Sequence, residues 1–243
     1  ACVVTAYSTG HDVGVSVAIV TIWNAFQLNI FASGEGQQKM IEPYYDDGKG
    51  IVIYHGDCRD IMPQLPKVDL VLTDPPYGIG ADKAAKRTYP KTNWDIKPDE
   101  ELILSCVLHG KESCIWGGNY FRLNPEGKWL VWDNQNDGNG FADVELAWTN
   151  YGGASRICRH LWNGMARKNS EVRFDHPTQK PLGVMLWCIQ QSKTEGLILD
   201  PFMGSGTTLR AAKDLGRHAI GIELEEKYCE IAAKRLAQEV LFS

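Results

Sequence analysis

Four consecutive residues, Asp74-Pro75-Pro76-Tyr77, have the types and spacing for a specific piece of chemistry. Two prolines fix the backbone and remove two N–H donors, which leaves carbonyl oxygens pointing outward. An Asp carboxylate and a rigid proline carbonyl can together accept both hydrogens of an amino group. That draws the nitrogen lone pair out of conjugation and makes the nitrogen a nucleophile toward a methyl sulfonium. Tyr77 adds a face on which a base extruded from a duplex can stack. The plain alternative is a proline-rich turn with a surface tyrosine, and the tetrapeptide alone does not exclude it.

A second cluster runs from Asp200 through Pro201, Phe202, Met203, Gly204, Ser205, Gly206 and Thr207 to Thr208. Its glycines allow close backbone approach to a ligand, and a helix start beyond them offers free N–H groups. Leu209 stands where a dinucleotide fingerprint needs glycine or alanine, and no lysine follows as a phosphate-binding loop requires. Glu223 lies 19 residues beyond Gly204, placed to take both hydroxyls of a ribose. These features describe a nucleoside-like ligand without a pyrophosphate, a description that S-adenosylmethionine meets.

The elements that must position these groups alternate strand and helix, the pattern of a mostly parallel sheet covered on both faces. Strands are predicted at 51–54, 68–73, 114–116, 129–132, 197–199 and 219–222. Four of them finish at or beside a carboxylate: Asp57, Asp74, Asp200 and Glu223. Ligands of open α/β sheets bind outside the carboxyl ends of the strands, so four acids on that rim describe a site. A single Asp there would equally be a helix N-cap. Helices are predicted from Thr207 to Leu215, with Gly216 as C-cap, and from Glu225 to Leu236.

The chain of 243 residues, 44% hydrophobic, suffices for one sizeable α/β domain. Its net charge of −5 means that any contact with nucleic acid must come from local basic patches. The seven cysteines are scattered and form no C-x-x-C pair, which speaks against a disulfide framework or a zinc site and fits a reducing cytoplasm. No metal site is expected. The first 38 residues hold no Lys or Arg, unlike a secretory signal, and polar residues interrupt the apolar stretch from Val13 to Phe31, which weakens a membrane reading. At Met40 the texture changes to regular strand and turn signals. Residues 1–39 are therefore expected to be an extension outside the catalytic fold, with residues 40–243 forming the domain.

The ordered motifs Gly56-Asp57, Asp74 to Tyr77, His176-Pro177-Thr178-Gln179-Lys180-Pro181 and Asp200 to Thr208 resemble those of the beta-class DNA amino-methyltransferases, across roughly residues 41–238. The resemblance implies a Rossmann-like sheet of about seven strands, one reversed, with helices on both faces. It implies that Asp74, Pro75, Pro76 and Tyr77 are catalytic. It further implies that Asp57 meets the cofactor adenine and Glu223 the ribose, while the turn from Asp200 and Phe202 through Gly204, Ser205, Gly206 and Thr207 holds the methionine portion. Lys180 would approach the methionine carboxylate. Asp at the head of the tetrapeptide favours adenine N6 as acceptor, with cytosine N4 the alternative within the family. C5-cytosine chemistry would need a Pro-Cys pair, and none is present.

Two basic segments are candidates for facing double-stranded DNA. The first holds Lys83, Lys86, Arg87, Lys91 and Lys97, interleaved with Tyr89 and Trp94 and set against Asp82 and Asp95. The second, a short recognition segment near 153–175, holds Arg156, Arg159, His160, Arg167, Lys168 and Arg173 around Trp162-Asn163-Gly164. A solvated charged face is the plain reading of both. The second segment is too short for a separate recognition domain, so selectivity would be short, loose or supplied by a partner. A restriction endonuclease or specificity subunit is the candidate companion, for a monomer or homodimer without a membrane role. A nucleotide-binding oxidoreductase would share the fold but has no use for Asp74 to Tyr77, and a catalytically dead DNA-binding module would be expected to lose one of the paired motifs.

Overall fold

Runs rich in β-branched and aromatic residues form the strands, and among the described residues nine strands join in one sheet. They are β1 (Tyr45–Asp46), β2 (Ile51–His55), β3 (Val68–Thr73), β4 (Gly110–Trp116), β5 (Lys128–Asp133), β6 (Val144–Thr149), β7 (Arg156–Arg159), β8 (Ile198–Asp200) and β9 (Ala219–Glu223). The computed structural model describes residues 41–80, 95–136, 142–162, 171–172, 174 and 178–238. All of these belong to the unit Ile41–Ser243. Outside the described residues lie 1–39 and Met40, the candidates Lys83, Lys86, Arg87, Lys91, Arg167 and Lys168, and also Asp82, Tyr89, Trp94, Asn163, Gly164, Arg173, His176 and Pro177.

The spatial order is β1-β2-β9-β8-β3-β4-β6-β5-β7. From β2 through β9, β8 and β3 to β4 every neighbouring pair is parallel. β6 runs antiparallel to both β4 and β5, β5 is parallel to β7, and β1 is antiparallel to β2. The sheet is thus Rossmann-like and mostly parallel, but it has nine strands with two reversed, where about seven with one reversed were expected. The additions have physical reasons. β1 is a two-residue edge strand, and β7 is an almost wholly exposed edge, so neither carries an apolar signature.

Alternation along the strands divides the core between the two faces. Ile51, Ile53, Leu70, Leu72, Cys114 and Trp116 point to one side, where α3 (Leu182–Gln191), α4 (Thr207–Asp214) and α5 (Glu226–Leu236) cover them. Tyr54, Val71, Ile115, Leu199, Ile220 and Ile222 point to the other, under α1 (Cys58–Ile61) and α2 (Glu100–His109). Strands buried on both faces read as continuous apolar runs, which is why 68–73 was legible as a strand.

Helix ends follow local chemistry. Asp99 accepts from the Leu102 N–H at 2.7 Å to start α2, with Glu100 and Glu101 in its first turn and His109 in its last. α4 closes in a Schellman motif: Gly216, at φ +67°, donates to the Lys213 carbonyl and Arg217 to that of Ala212. Among the described residues no helix is long and apolar enough to cross a membrane.

Candidate active site

Strand order puts the four acids side by side. β2, β9, β8 and β3 are consecutive and parallel, so Asp57, Glu223, Asp200 and Asp74 stand in that order along one carboxyl-terminal rim. Three strand spacings separate the ends of the row, roughly 14 Å. A nucleoside at β2 and β9 would thus have its far end near β3.

The turn after β8 is folded back over β9. The Met203 N–H donates to the Ile222 carbonyl at 3.1 Å, and Gly204 donates to Glu223 Oε2 at 2.9 Å. Gly221 permits this packing, because a Cβ there would stand 2.4 Å from Met203 Sδ. Gly206, at φ +75°, opens α4, and a Cβ on it would meet that of Ala232 at 2.8 Å. The Arg235 guanidinium braces the turn from beneath, donating to the Ser205 carbonyl and to Thr207 Oγ1 at 2.9 Å. Phe202 is half-buried against the second core cluster. Burial raises the Glu223 carboxyl above its usual range even though the Glu225 and Gly204 N–H groups oppose the shift. A desolvated carboxylate of this kind gains from further hydroxyl donors, as a ribose would supply.

Asp200 departs from its expected role as a cofactor contact. It is 2% exposed and accepts from Thr73 Oγ1 at 2.6 Å, Thr208 Oγ1 at 2.5 Å and the Phe202 N–H at 3.1 Å. Burial pushes its carboxyl up to about 6, against the opposing bonds from Thr208 and Thr73. It ties β3, the turn and α4 together from below. Asp57 is the N-cap of α1, accepting from the Arg59 N–H at 2.8 Å while its side chain stays 36% exposed on the rim.

At the β3 end, Pro75 is buried and Asp74 lies between two hydrogen-bond donors. The Tyr77 hydroxyl donates to Asp74 Oδ1, and the Lys180 ammonium donates to Asp74 Oδ2 at 2.6 Å. The Tyr77 ring is stacked on that of Tyr120, with centroids 5.1 Å apart and planes 22° apart. Its edge rests on the backbone of Gly117, which follows β4 at φ +63°. Burial, and then the Asp74 carboxylate, hold the Tyr77 phenol well above its ordinary range, so it remains a donor.

Lys180 also departs from expectation. It is 7% exposed, and besides Asp74 it reaches the Tyr77 hydroxyl at 3.2 Å and Glu145 Oε2 at 3.1 Å. An ammonium has three N–H bonds, and three oxygens already surround this one. Lys180 is therefore engaged at the β3 corner. Burial disfavours its charge, but Asp74, Glu145 and Tyr77 outweigh that and hold it well above the usual lysine range. Its neighbour Gln179 accepts from the Phe174 N–H at 2.8 Å and donates to the Val172 carbonyl. Glu171 caps α3 by accepting from Leu182 and Gly183, and pairs with His160 at 3.1 Å, which makes His160 a structural residue.

Glu145, Gly117 and Tyr120 were missed. The Gly117-Gly118 pair after a strand was a readable signal of close backbone approach, whereas nothing in sequence set Glu145 apart. Of the DNA-facing candidates, Arg156 and Arg159 are exposed on β7, the far edge of the sheet, and Arg159 pairs with Asp133 at 3.4 Å. Among the described residues no three His, Cys, Asp or Glu side chains gather as a metal site would.

Sheet order, the row of acids and the Asp74 corner place the candidate site at the carboxyl ends of a Rossmann-like α/β sheet. The DNA methylase family model matches residues 93–234. Type II methyltransferase M.HinfI of Haemophilus influenzae is 47% identical over 76% of this chain and 68% of its own length. M2.DpnII of Streptococcus pneumoniae is 27% identical over 82% of this chain and 94% of its own. The crystal structure of an M1.HpyAVI–SAM complex superposes with a TM-score of 0.51 at 27% identity, covering 76% of this chain and 99% of that one. The chain belongs to the family of DNA amino-methyltransferases.

Proposed function

We propose that this chain transfers a methyl group from S-adenosylmethionine to the exocyclic N6 of an adenine flipped out of double-stranded DNA. The observation that carries this reading is Asp74, aimed at the rim by Tyr77 and Lys180 and followed by two prolines. Glu223 and Asp57 would hold the nucleoside of the cofactor, and the turn from Phe202 to Thr207 its amino-acid end. The cofactor supplies an electrophilic methyl on a sulfonium.

Each Asp74 oxygen accepts one bond within the protein and keeps a second lone pair for an incoming amino hydrogen. With one hydrogen on Asp74 and the other on the Pro75 carbonyl, the base nitrogen turns its lone pair toward the methyl carbon. The N–C bond forms as the C–S bond breaks, and the nitrogen then gives up one proton, which Asp74 is placed to accept. Stacking on Tyr77 offsets the unstacking of the base from the duplex. Asp at the head of the tetrapeptide is what favours adenine over cytosine. A restriction endonuclease or specificity subunit is the companion this reading anticipates, the protein acting as a monomer or homodimer in the cytoplasm.

Nucleoside mass spectrometry on DNA from cells expressing the chain tests the proposal. N6-methyldeoxyadenosine is expected. N4-methyldeoxycytidine would overturn the choice of base, and label in RNA or protein with none in DNA would overturn the substrate class.

A further inference from the structure

Glu145 takes part in the β3 corner without being foreseen by any motif. It projects from β6, opposite Trp132 of β5, and reaches Lys180 Nζ at 3.1 Å with its side chain 33% exposed. Lys180 spans the gap to Asp74, whose side chain is 19% exposed. The wall behind them is aromatic: Lys180 lies 5.3 Å from the Trp116 ring centroid, and Trp116 packs edge-on against Trp132 at 6.3 Å. A buried, water-poor wall of this kind strengthens every charge interaction beside it.

We propose that Glu145 is a positioning residue for methyl transfer, engaging Lys180 from the far side so that the charge of Asp74 stays available to the attacking nitrogen. The inference rests on the amino-methyltransferase reading above. Positive charge develops on the amino nitrogen as the methyl group moves to it, and a negative neighbour stabilises that change. A single ammonium 2.6 Å from Asp74 would cancel most of that neighbour's field. With two carboxylates around one ammonium, the cluster keeps one formal negative charge. Glu145 also gives the lysine a second carboxylate partner besides Oδ2 of Asp74.

The titratable groups facing Lys180 among the described residues are Asp74 and Tyr77 from the end of β3, Glu145 from β6, and Cys188 from α3, whose thiol burial raises well above its ordinary range. Removing Glu145 leaves Asp74 as the one carboxylate supporting the Lys180 charge against burial. The lysine should then lose its proton at a lower pH.

Single-turnover methylation of duplex DNA, calorimetric binding of S-adenosylmethionine and NMR titration of 13C-labelled lysines test this in the full chain, wild type against Glu145→Gln and Glu145→Asp. Glu145→Gln should lower the single-turnover rate about 10- to 100-fold while cofactor affinity stays within about twofold. The alkaline limb of its pH–rate profile and the Lys180 titration should both move to lower pH. Glu145→Asp, which keeps the charge, should lie between the two. A wild-type rate in Glu145→Gln, or equal losses in both variants with an unmoved Lys180 titration, would overturn the role of Glu145. A wild-type protein that methylates no DNA would overturn the functional reading instead, and the lysine titration would still decide whether Glu145 governs Lys180.

Discussion

Gly117→Ala is the sharpest available perturbation of the β3 corner, because it adds one methyl group where the structure leaves no space. A Cβ on Gly117 would stand 2.1 Å from Cε1, 2.5 Å from Cδ1 and 2.6 Å from Cζ of Tyr77. Carbon atoms in ordinary contact are about 3.5 Å apart or more, so the ring and the end of β4 must separate by roughly 1–1.5 Å. The φ of +63° adds the strain of a left-handed alanine. Strain and overpacking together cost roughly 2–5 kcal/mol of stability. A ring displaced that far takes its hydroxyl off Asp74 Oδ1 and moves the surface on which the base stacks. Misplacement by about 1 Å can cost on the order of 100-fold in rate. Cofactor affinity should stay within about twofold, because Gly117 follows β4 and lies across β3 from β8, β9 and β2. Gly216→Ala supplies the control: its φ is +67° with nothing within 4 Å, so it incurs the backbone strain, about 1–2 kcal/mol, without touching the site. Urea denaturation, calorimetry and single-turnover methylation on the two variants separate the effects. A Gly117→Ala protein with a full rate, or one destabilised no more than Gly216→Ala, would refute the claim that the glycine seats Tyr77.

Glu223→Gln should weaken S-adenosylmethionine binding about tenfold, the difference between a charged and a neutral acceptor, while Tyr77→Ala leaves that affinity nearly intact and loses methyl transfer; the reverse pattern by calorimetry would exchange the two halves of the site. A chain beginning at Met40 should fold and bind the cofactor within about twofold of the full chain, since every described element lies beyond Met40, and an insoluble or non-binding protein would sink this. The buried Asp200 carboxyl, raised from 3.8 to about 6, binds more protons folded than unfolded between those values. Its contribution to stability is therefore fully present below about pH 4 and lost as pH rises through about 6, a change of about 3 kcal/mol at most. Glu171, lowered on balance, works in the opposite direction at acid pH, so the measurement is the difference in urea midpoint between wild type and Asp200→Asn across pH 4 to 7. A difference that does not vary with pH would refute the assignment.

Strands buried on both faces were legible because their composition admits no other environment. Val68 to Thr73 and Ala219 to Glu223 are buried almost throughout, and each was read with its terminal acid in place. Helix α4 was legible from its ends, where Gly206 and Gly216 both need positive φ. Helix α2 and strand β7 were not. α2 keeps Leu104 and Leu108 exposed at 52% and 65%, which blurs its apolar stripe, and β7 offers Arg156 and Arg159 to solvent on the sheet's edge. Edge elements are defined by what they pair with, and pairing is not written in their own residues.

The same limit explains Lys180. It stands two residues before α3, and α3 leads into β8, the strand that lies between cofactor strand β9 and catalytic strand β3. A lysine in that position can turn toward either neighbour, and its own sequence surroundings are identical in both cases. What decides the direction is where the negative charge is. On the cofactor side Asp200 is already satisfied by Thr73, Thr208 and Phe202, and Glu223 by Gly204 and Glu225. On the catalytic side the Tyr77 hydroxyl donates to Asp74, and Glu145 arrives on a reversed strand between β4 and β5. A buried ammonium goes where two carboxylates can compensate it. One of those two became visible only once the strand order was known.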